Sequence, residues 1–434
     1  MGLGKTIQII SLLLIFKQQQ MLTKPALIVV PTSLLNNWQR ELAKFAPMLN
    51  VALYHGQKRS LDQVRVDVWL TSFGLVRRDV DQFETRDWGL LAVDEAQNIK
   101  NPFVAQTKAV KKIKANYKIA LTGTPVENHL SDYWSILDLL MPGYMMNIGD
   151  FRDQIARPIE LDRNHQALAY FKKLTEPFIM RRLKTDKSII DDLPEKIVID
   201  QYCTLTTDQA SLYQATVDQM MKVIEGMDDS IERSGMVFKL MTGLKQICNH
   251  PNHFLKTFSP QVAASGKSIR LMEILTEIIE DHHQAVIFTQ YTQMGDLLVE
   301  MIKQTLKFEP LFFHGGLTLK KRAVMVDEFN NHFCPVMILS LKAGGTGLNL
   351  TAASHVIHYD LWWNPAVENQ ATDRAFRIGQ TKNVNVHRFI SANTFEEKIN
   401  QMINNKRELA DLTVGSGEKW IGELSNRELR ELFK

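Results

Sequence analysis

The segment MGLGKTIQII, residues 1–10, decides how this 434-residue chain is interpreted. Its glycines and the Gly4-Lys5-Thr6 sequence, followed by an apolar run, are typical of a phosphate-binding loop that opens a helix. In that pattern Gly2 and Gly4 let the backbone approach phosphate oxygens, Lys5 reaches the β- and γ-phosphates, and the Thr6 hydroxyl binds Mg²⁺. The segment therefore predicts a nucleotide-phosphate site at the start of a helix, with an ordinary glycine turn as the alternative.

The loop pattern G-x-x-x-x-G-K-[ST] is incomplete, because its first residue would precede Met1. Only the second part of the loop pattern is therefore present in this sequence.

A pair of carboxylates supports the phosphate-site interpretation. The run Leu90–Val93 predicts a buried strand that delivers Asp94 and Glu95 at its carboxyl end. Parallel α/β sheets bind their ligands at that edge. Asp94 suits a Mg²⁺ held beside a nucleotide, and Glu95 suits orienting or deprotonating an attacking water. A solvated acidic turn is the alternative.

Composition indicates a soluble protein of two or three domains, with 45% hydrophobic and 23% charged residues. A net charge of +3 permits a nucleic-acid partner without requiring one. Cys203, Cys248 and Cys334 are far apart and odd in number, which fits a reducing interior. No apolar run approaches the roughly 20 residues that span a bilayer, so we expect no membrane partner. The expected location is the cytoplasm, associated with the nucleoid, in a prokaryote, or the nucleus in a eukaryote.

Short apolar runs alternate with helical patterns in two parts of the chain. Strands are predicted at residues 26–30, 66–70, 90–93, 118–121, 286–288, 311–313, 336–339 and 355–359. Each run ends in a small polar or glycine-rich turn, which predicts doubly wound parallel sheets with ligands at the carboxyl edge. Thr32 or Ser33 is expected to cap the helix after the first strand. Residues 131–266 show long helical patterns and predict insertions and a linker without sheet.

Gln370, Arg374 and Arg377 recur at helical spacing, which predicts that they lie on one helical face. Two arginines together suit a polyanion, because each guanidinium can form bidentate hydrogen bonds to phosphate oxygens and stays protonated. An arginine placed across a cleft can also stabilise the charge of phosphoryl transfer. Salt-bridged surface arginines are the alternative. The glycine cluster at 343–347 is either a phosphate-approaching loop or a plain flexible one.

Two further patterns leave their alternatives open. Cys248, His250 and His253 lie close enough for a zinc site, or they form a packed turn around Pro251. The basic run at residues 181–187 marks either the exit from a first lobe or a solvated face.

Taken in order, these stretches resemble the Swi/Snf family of superfamily-two helicase-like ATPases. The matching segments are MGLGKTIQ (1–8), VVPTSLLNNWQRE (29–41), VDEAQNIKN (93–101), LTGTPVEN (121–128), IFTQYTQM (287–294), FHGGLTLKKR (313–322), LKAGGTGLNLT (341–351) and LWWNPAVENQATDRAFRIGQTK (361–382). Joins that also look family-like are MRRLKTD (180–186), DLPEK (192–196) and KQICNHP (245–251). The resemblance covers essentially the whole chain.

The resemblance implies an α/β fold of two RecA-like, doubly wound parallel-sheet lobes with helical insertions, and ATP with Mg²⁺ in the cleft between them. With the change in sequence texture, it places a first lobe at 1–183 with a helical protrusion near 131–180. A linker and helical insertion follow at 184–266, and a second lobe with a C-terminal helical tail at 267–434. It further implies a DNA-stimulated ATP hydrolase, a monomeric motor that tracks along double-stranded DNA and remodels protein–DNA complexes.

The resemblance also assigns residues to roles. Phosphate, nucleotide and Mg²⁺ binding falls to Gly2, Gly4, Lys5, Thr6, Asp94 and Gln370, water activation to Glu95, and the trans-acting arginines to Arg374 and Arg377. Coupling to DNA would use Gln97, Thr122 and Thr124, and DNA-backbone contacts would use Pro31, Thr32, Lys100, Asn101, Thr346 and Trp362. DNA-bound proteins are the further partners expected.

Family members usually carry acidic residues, a strand and an adenine-recognising segment ahead of the loop, so the resemblance implies a chain truncated within the loop, from a mis-called start, a split gene or a cut fragment. A half loop is expected to hold phosphate poorly, and loss of the preceding strand is expected to expose an edge of the sheet. This broken N-terminus motivates a second function, an ATPase-deficient fragment that only binds DNA or acts as a scaffold. As a second departure, Gln97 stands where many superfamily members carry histidine. A strand-separating helicase is disfavoured, because the resemblance points to tracking on duplex DNA. The compact insertions favour a bacterial or archaeal member.

Overall fold

Two parallel β-sheets, each with its own helices, organise the chain. The computed structural model describes residues 4–123, 130–162, 164–180, 194–227, 231–340, 348–377, 379–409 and 424–433. Backbone contacts divide the chain into a first unit, residues 1–191 with 413–415, and a second unit, residues 192–412 with 416–434.

The first unit contains a five-stranded parallel sheet in the order β2-β3-β1-β4-β5. Its strands are Ala26–Val30 (β1), Val51–Leu53 (β2), Val68–Ser72 (β3), Trp88–Val93 (β4) and Ala115–Ala120 (β5). Every residue of β1, β3 and β4 is buried, as expected for parallel strands covered on both faces. Because β1 and β4 are neighbours, the turns that follow them meet at one edge.

Helices complete the first unit. The α-helices are Lys5–Gln18 (α1), Leu35–Phe45 (α2), Phe73–Arg78 (α3), Val80–Glu84 (α4), Ala105–Lys111 (α5), Leu130–Leu140 (α6), Ile148–Phe151 (α7), Arg157–Glu160 (α8) and His165–Thr175 (α9). Short 3₁₀ turns lie at Thr32–Leu34, Ala96–Ile99 and Glu176–Phe178, and a π turn at Arg152–Ala156. Helices α6 to α9 share a small core around Trp134, Phe151 and Phe171.

The second unit contains a six-stranded parallel sheet in the order β6-β11-β10-β7-β9-β8. Its strands are Lys196–Cys203 (β6), Ala285–Thr289 (β7), Leu311–Phe313 (β8), Val336–Ser340 (β9), His355–His358 (β10) and Val384–Ser391 (β11). The prediction that residues 131–266 hold no sheet is therefore wrong for β6. Its mixed apolar and polar sequence gives no buried-strand signal, because only pairing along β11 at the sheet edge makes it a strand.

The helices of the second unit cover this sheet and extend beyond it. They are Thr207–Glu225 (α10), Ile231–Asn249 (α11), Pro251–Phe254 (α12), Gly266–Glu280 (α13), Thr292–Leu306 (α14), Leu319–Asn330 (α15), Pro365–Thr372 (α16), Phe395–Leu409 (α17) and Asn426–Phe433 (α18), with a 3₁₀ turn at Val262–Ala264. Helices α10 and α11 pack on α17 and α18 through a core that includes Leu244, Phe395 and Phe433.

Most of the predicted strands are observed within a few residues of their predicted bounds. The predicted cap of α2 is wrong, because Thr32 and Ser33 belong to a 3₁₀ turn and Leu34 stands at the helix start without a side-chain capping bond. The domain boundaries stay predictions. Among the described residues, no helix is both long and apolar enough to span a bilayer. All three cysteines are free and buried.

Candidate nucleotide and nucleic-acid sites

The start of α1 is built to receive an anion. Gly4 precedes the helix with φ +70°, a left-handed conformation that glycine adopts at no steric cost, and open space lies where a Cβ would stand. Gly4, which stands at the N-cap, has no side chain with which to cap the helix, so the first helical N–H groups are available to an anion. The buried Lys5 Nζ has no hydrogen-bond partner among the described residues. An uncapped helix start beside an unpartnered ammonium fits a phosphate group.

Two acidic side chains follow β4 and are buried together. Asp94 is 6% exposed and Glu95 is 4% exposed. Trp38 Nε1 on α2 donates to Asp94 Oδ2 at 2.9 Å, and the Glu95 N–H donates to Asp94 Oδ1 at 2.9 Å. Glu95 itself has φ 51°, the left-handed region that a glutamate seldom adopts, so the turn is held by its surroundings.

The charge balance of this pair favours a bound cation. Burial raises the pKa of Asp94, and the neighbouring Glu95 carboxylate raises it further. The Lys5 ammonium and the Trp38 hydrogen bond lower the pKa of Asp94 in the opposite direction. Each Asp94 oxygen keeps an accepting position beyond its single hydrogen bond. This donor set fits Mg²⁺, which prefers carboxylate, hydroxyl and water oxygens, and Asp94 with Thr6 would hold it.

A hydrogen-bonded chain leads from Glu95 to the end of the next strand. Gln97 Nε2 donates to Glu95 Oε2 at 2.7 Å, and Thr122 Oγ1 donates to Gln97 Oε1 at 2.9 Å. Thr122 follows β5, and the backbone N–H of Ala96 donates to Leu121 O at 2.8 Å. The structure thus brings together two of the three predicted coupling residues, while Thr124 lies outside the described residues.

The predicted DNA-contacting residues of the first unit share one sheet edge. Pro31 and Thr32 follow β1, while Lys100 and Asn101 follow the 3₁₀ turn after β4. Thr32 and Asn101 are exposed. Because β1 pairs with β4, these turns emerge side by side.

The predicted arginine face in the second unit needs correction. Helix α16 ends at Thr372, so Gln370 is helical while Arg374 and Arg377 lie in the turns beyond it. The Arg374 carbonyl accepts from Leu350 N–H at 3.0 Å, a tertiary contact that helical periodicity does not report. Arg374 is 4% exposed, and half-buried Arg377 donates through Nη1 to Leu348 O at 3.4 Å.

The predicted DNA contact Trp362 lies in a turn after β10 and is half-buried. The backbone N–H groups of Trp362 and Trp363 both donate to Glu368 Oε1, at 3.1 and 3.2 Å. Gly2 and Thr346, which were also predicted to bind nucleotide and DNA, lie outside the described residues.

The histidines near Cys248 take part in packing. The Nδ1 of His250 accepts from the Asn252 N–H at 3.1 Å, and its Nε2 lies 2.9 Å from Gln261 O. His253 packs edge-on against the Tyr291 ring. Over the described ranges no group of three or more potential metal ligands is assembled. These contacts favour the packed turn over the zinc alternative.

Known families account for most of the chain. The SNF2-related domain matches residues 1–253, and the helicase conserved C-terminal domain matches residues 267–379. The chain belongs to the SNF2-related family. The predicted Swi/Snf resemblance is thereby confirmed.

Relatives of this SNF2-related chain are ATP-dependent helicases and ATPases. The putative ATP-dependent helicase/translocase YwqA of Bacillus subtilis is 43% identical over 442 residues, covering 100% of this chain and 48% of YwqA. An uncharacterized ATP-dependent helicase of Mycoplasma genitalium is 38% identical, covering 100% of this chain and 41% of the relative. The chain thus spans about half the length, or less, of these curated relatives.

A solved structure supports the fold of this SNF2-related chain. The Sulfolobus solfataricus SWI2/SNF2 ATPase core in complex with dsDNA is 42% identical with a TM-score of 0.51, covering 100% of this chain and 91% of that one. The predicted α/β class, with two RecA-like parallel-sheet lobes, is therefore confirmed.

Sequence reasoning missed Trp38 as a partner of Asp94. Its spacing with Leu42 on α2 predicts only a core residue, and it is indeed fully buried. The signal that could have found it is a tryptophan at a core position of a helix in a sheet whose strands end in acidic residues. A buried indole N–H needs a hydrogen-bond acceptor, and such a carboxylate can supply one.

Proposed function

We propose that this SNF2-related chain hydrolyses ATP when bound to double-stranded DNA, moves along the duplex and remodels protein–DNA complexes. The observation that carries the proposal is the polar chain Glu95–Gln97–Thr122 beside the unpartnered amine of Lys5. This partly buried acid–amide–hydroxyl chain links the place where water would be activated to the turn after another strand. A passive DNA-binding scaffold has no use for such an arrangement.

On the nucleotide side, Lys5 and the N–H groups of α1 would bind phosphate oxygens, with Gly2 and Gly4 allowing close approach. Thr6 and Asp94 would hold Mg²⁺. ATP, when bound, supplies the phosphoanhydride bond whose cleavage provides the free energy. Gln370, Arg374 and Arg377 are proposed to act on the same nucleotide, with the arginines stabilising negative charge.

Glu95 is proposed to orient the attacking water and accept its proton. Its Oε2 is held by Gln97, which leaves Oε1 for the water. Because Gln97 also accepts from Thr122, movement of the turn after β5 would shift the glutamate. Gln97, Thr122 and Thr124 are thus proposed to report DNA binding to the catalytic carboxylate.

On the DNA side, Pro31, Thr32, Lys100, Asn101, Thr346 and Trp362 are proposed to contact the sugar–phosphate backbone. Short polar side chains, backbone N–H groups and a lysine grip phosphates without reading bases. Binding should therefore be insensitive to sequence and should weaken as salt rises. The solved relative is described as a complex with dsDNA, which supports duplex as the substrate.

The test is steady-state ATP hydrolysis by the chain without DNA, with single-stranded DNA and with duplex DNA. We expect duplex to raise turnover and Lys5→Ala to abolish the increase, while Lys58→Ala, an exposed lysine of the same unit, keeps it. Turnover indifferent to duplex would refute the proposal. Salt-sensitive DNA binding without any hydrolysis would identify a non-catalytic module, and separation of a forked duplex would identify a helicase.

A further inference from the structure

The turn after β10 in the second unit is strained. It runs from Asp360 to Trp363, and Trp363 has φ 53°, a left-handed value that is costly for a bulky side chain. Trp363 is only 7% exposed, so the conformation is imposed by packing. Neighbouring Trp362 is a proposed DNA contact.

One side of this turn is fastened through a carboxylate. Asp360 is fully buried and accepts three hydrogen bonds, from Thr289 Oγ1 at 2.6 Å, Gln290 N–H at 2.8 Å and Asn249 Nδ2 at 3.1 Å. The Asn249 amide is itself oriented, because its Oδ1 accepts from Lys267 Nζ at 3.2 Å. Two donors come from the strand end beside β10, and the third comes from helix α11.

The other side is fastened through an aromatic ring. Lys245 Nζ lies 3.5 Å from the centroid of the Trp363 ring. Lys245 is 3% exposed, and the ring is also packed edge-on against Phe395. A cation over an indole is favourable, and the attraction is strongest where both partners are removed from water. The contact therefore holds the ring of the strained residue against α11.

Both fastening points belong to one face of α11, since Lys245 and Asn249 are four residues apart. We propose that α11 positions the turn Asp360–Trp363 through these two side chains, so that Trp362 is held ready to contact duplex DNA. Lys245 and Asn249 act through the turn and touch neither DNA nor nucleotide. This inference rests on the proposed DNA-binding role of Trp362.

The experiment measures duplex binding by fluorescence anisotropy without nucleotide, together with the DNA concentration that gives half-maximal ATP turnover. We expect Lys245→Met to raise the dissociation constant for duplex and the half-maximal DNA concentration about tenfold each. Maximal turnover should stay within about twofold, because the contact orients a binding residue. Lys245→Arg should restore binding, since guanidinium also stacks on indole. Lys239→Met, an exposed lysine of the same helix, should bind as the unchanged chain does.

Asn249→Leu, which removes the second fastening point, guards against misfolding of the lysine variant. Circular dichroism at the assay temperature establishes which variants are folded. Folded Lys245→Met or Asn249→Leu with unaltered anisotropy would overturn the inference, as would lost turnover at unaltered DNA affinity. The anisotropy measurement needs no ATP. If the chain without substitutions binds duplex but does not hydrolyse ATP, the proposed function is refuted, while the inference about α11 can still be tested.

Discussion

Two buried clusters of charged side chains, one in each unit, differ in how their charges are paired. In the second unit, Lys267 Nζ lies 2.9 Å from Glu396 Oε2 and donates to Asn249, and both charged side chains are almost fully buried. In the first unit, the carboxylates of Asp94 and Glu95 stand side by side. Lys5 Nζ beside them has no hydrogen-bond partner in the described part of the chain.

The difference separates charges that hold the fold from charges that await a ligand. Burial lowers the pKa of Lys267, but the charge and hydrogen bond of Glu396, together with the neighbouring Cys248 and Asp360, outweigh burial, so the pKa of this ammonium is raised. Burial instead dominates at Asp94, whose pKa is raised. A buried charge without its partner is costly. The first cluster is therefore expected to gain stability when a phosphate and a cation complete it.

The largest expected effect breaks the paired cluster. Lys267→Met leaves Glu396 as an uncompensated buried charge and should lower the free energy of unfolding by about 3–5 kcal/mol. Urea denaturation followed by circular dichroism measures this. The double variant Lys267→Met/Glu396→Leu should regain much of the loss. Lys303→Met, which removes an exposed partner of Glu309, is the control and should cost below about 1 kcal/mol. An equal loss in both single variants would contradict the comparison.

Next comes the unpaired cluster. Lys5→Ala should reduce DNA-stimulated ATP turnover by about 10²–10³-fold, comparable with losing one charge-stabilising donor. Stability without nucleotide should change by about 1 kcal/mol or less, because no hydrogen bond is lost and only the attraction between Lys5 and Asp94 is removed. Turnover and urea denaturation on the same preparations check both halves. A stability loss as large as that of Lys267→Met would show that Lys5 is a structural residue.

Acid should distinguish the two units. Burial lowers the pKa of His253, His355 and His387, each to about 4, and all three belong to the second unit. In the described part of the first unit, His55 and His165 are exposed. Between pH 7.5 and 5.5 each of these three histidines should lower the free energy of unfolding by about 1 kcal/mol.

The sign follows from proton uptake. The unfolded chain binds protons near the ordinary histidine pKa of about 6.5, whereas the folded chain resists them until about pH 4. The stability is present above pH 6.5 and is lost progressively as the pH falls from about 6.5 to about 4. Most nearby charges shift these pKa values in the same direction as burial. His387 and His283 lower the pKa of His355, and Arg270 lowers that of His387, whereas Asp281 raises the pKa of His355. As the pH is lowered, protection of backbone amides against hydrogen exchange, corrected for the pH dependence of intrinsic exchange, should weaken first in the second unit. Equal weakening in both units would contradict this.

The smallest expected effect comes from removing the repulsion between the carboxylates of Asp94 and Glu95. Glu95→Gln keeps an acceptor for Gln97 but removes one of two adjacent buried charges. We expect the unliganded chain to gain about 1 kcal/mol, a rise in Tm of about 2–4 °C, while ATP turnover falls. Glu176→Gln, an exposed glutamate of the same unit, should change neither. A lower Tm for Glu95→Gln would mean that the charge stabilises the free fold.

Residues adjacent along the chain were predicted well. The run Leu90–Val93 is buried throughout in β4 and ends at Asp94, because a continuous apolar stretch before an acidic turn is strong local information. Arg374 and Arg377 were recognised as residues of interest, but their helical face was not observed. Both lie beyond the end of the helix, and the Arg374 carbonyl accepts a hydrogen bond from Leu350, which is distant in sequence.

The sequence by itself determined the elements whose cause is local: the buried strands, the glycine that opens α1, and the family to which these motifs belong. Only the tertiary structure decided the pairing of β6 with β11, the bond from Trp38 to Asp94, and the clamp of Lys245 and Asn249 on the turn Asp360–Trp363. Those contacts join residues dozens to nearly two hundred positions apart. Local propensity and periodicity do not register such distances, because the partners meet only when the packed core brings them together.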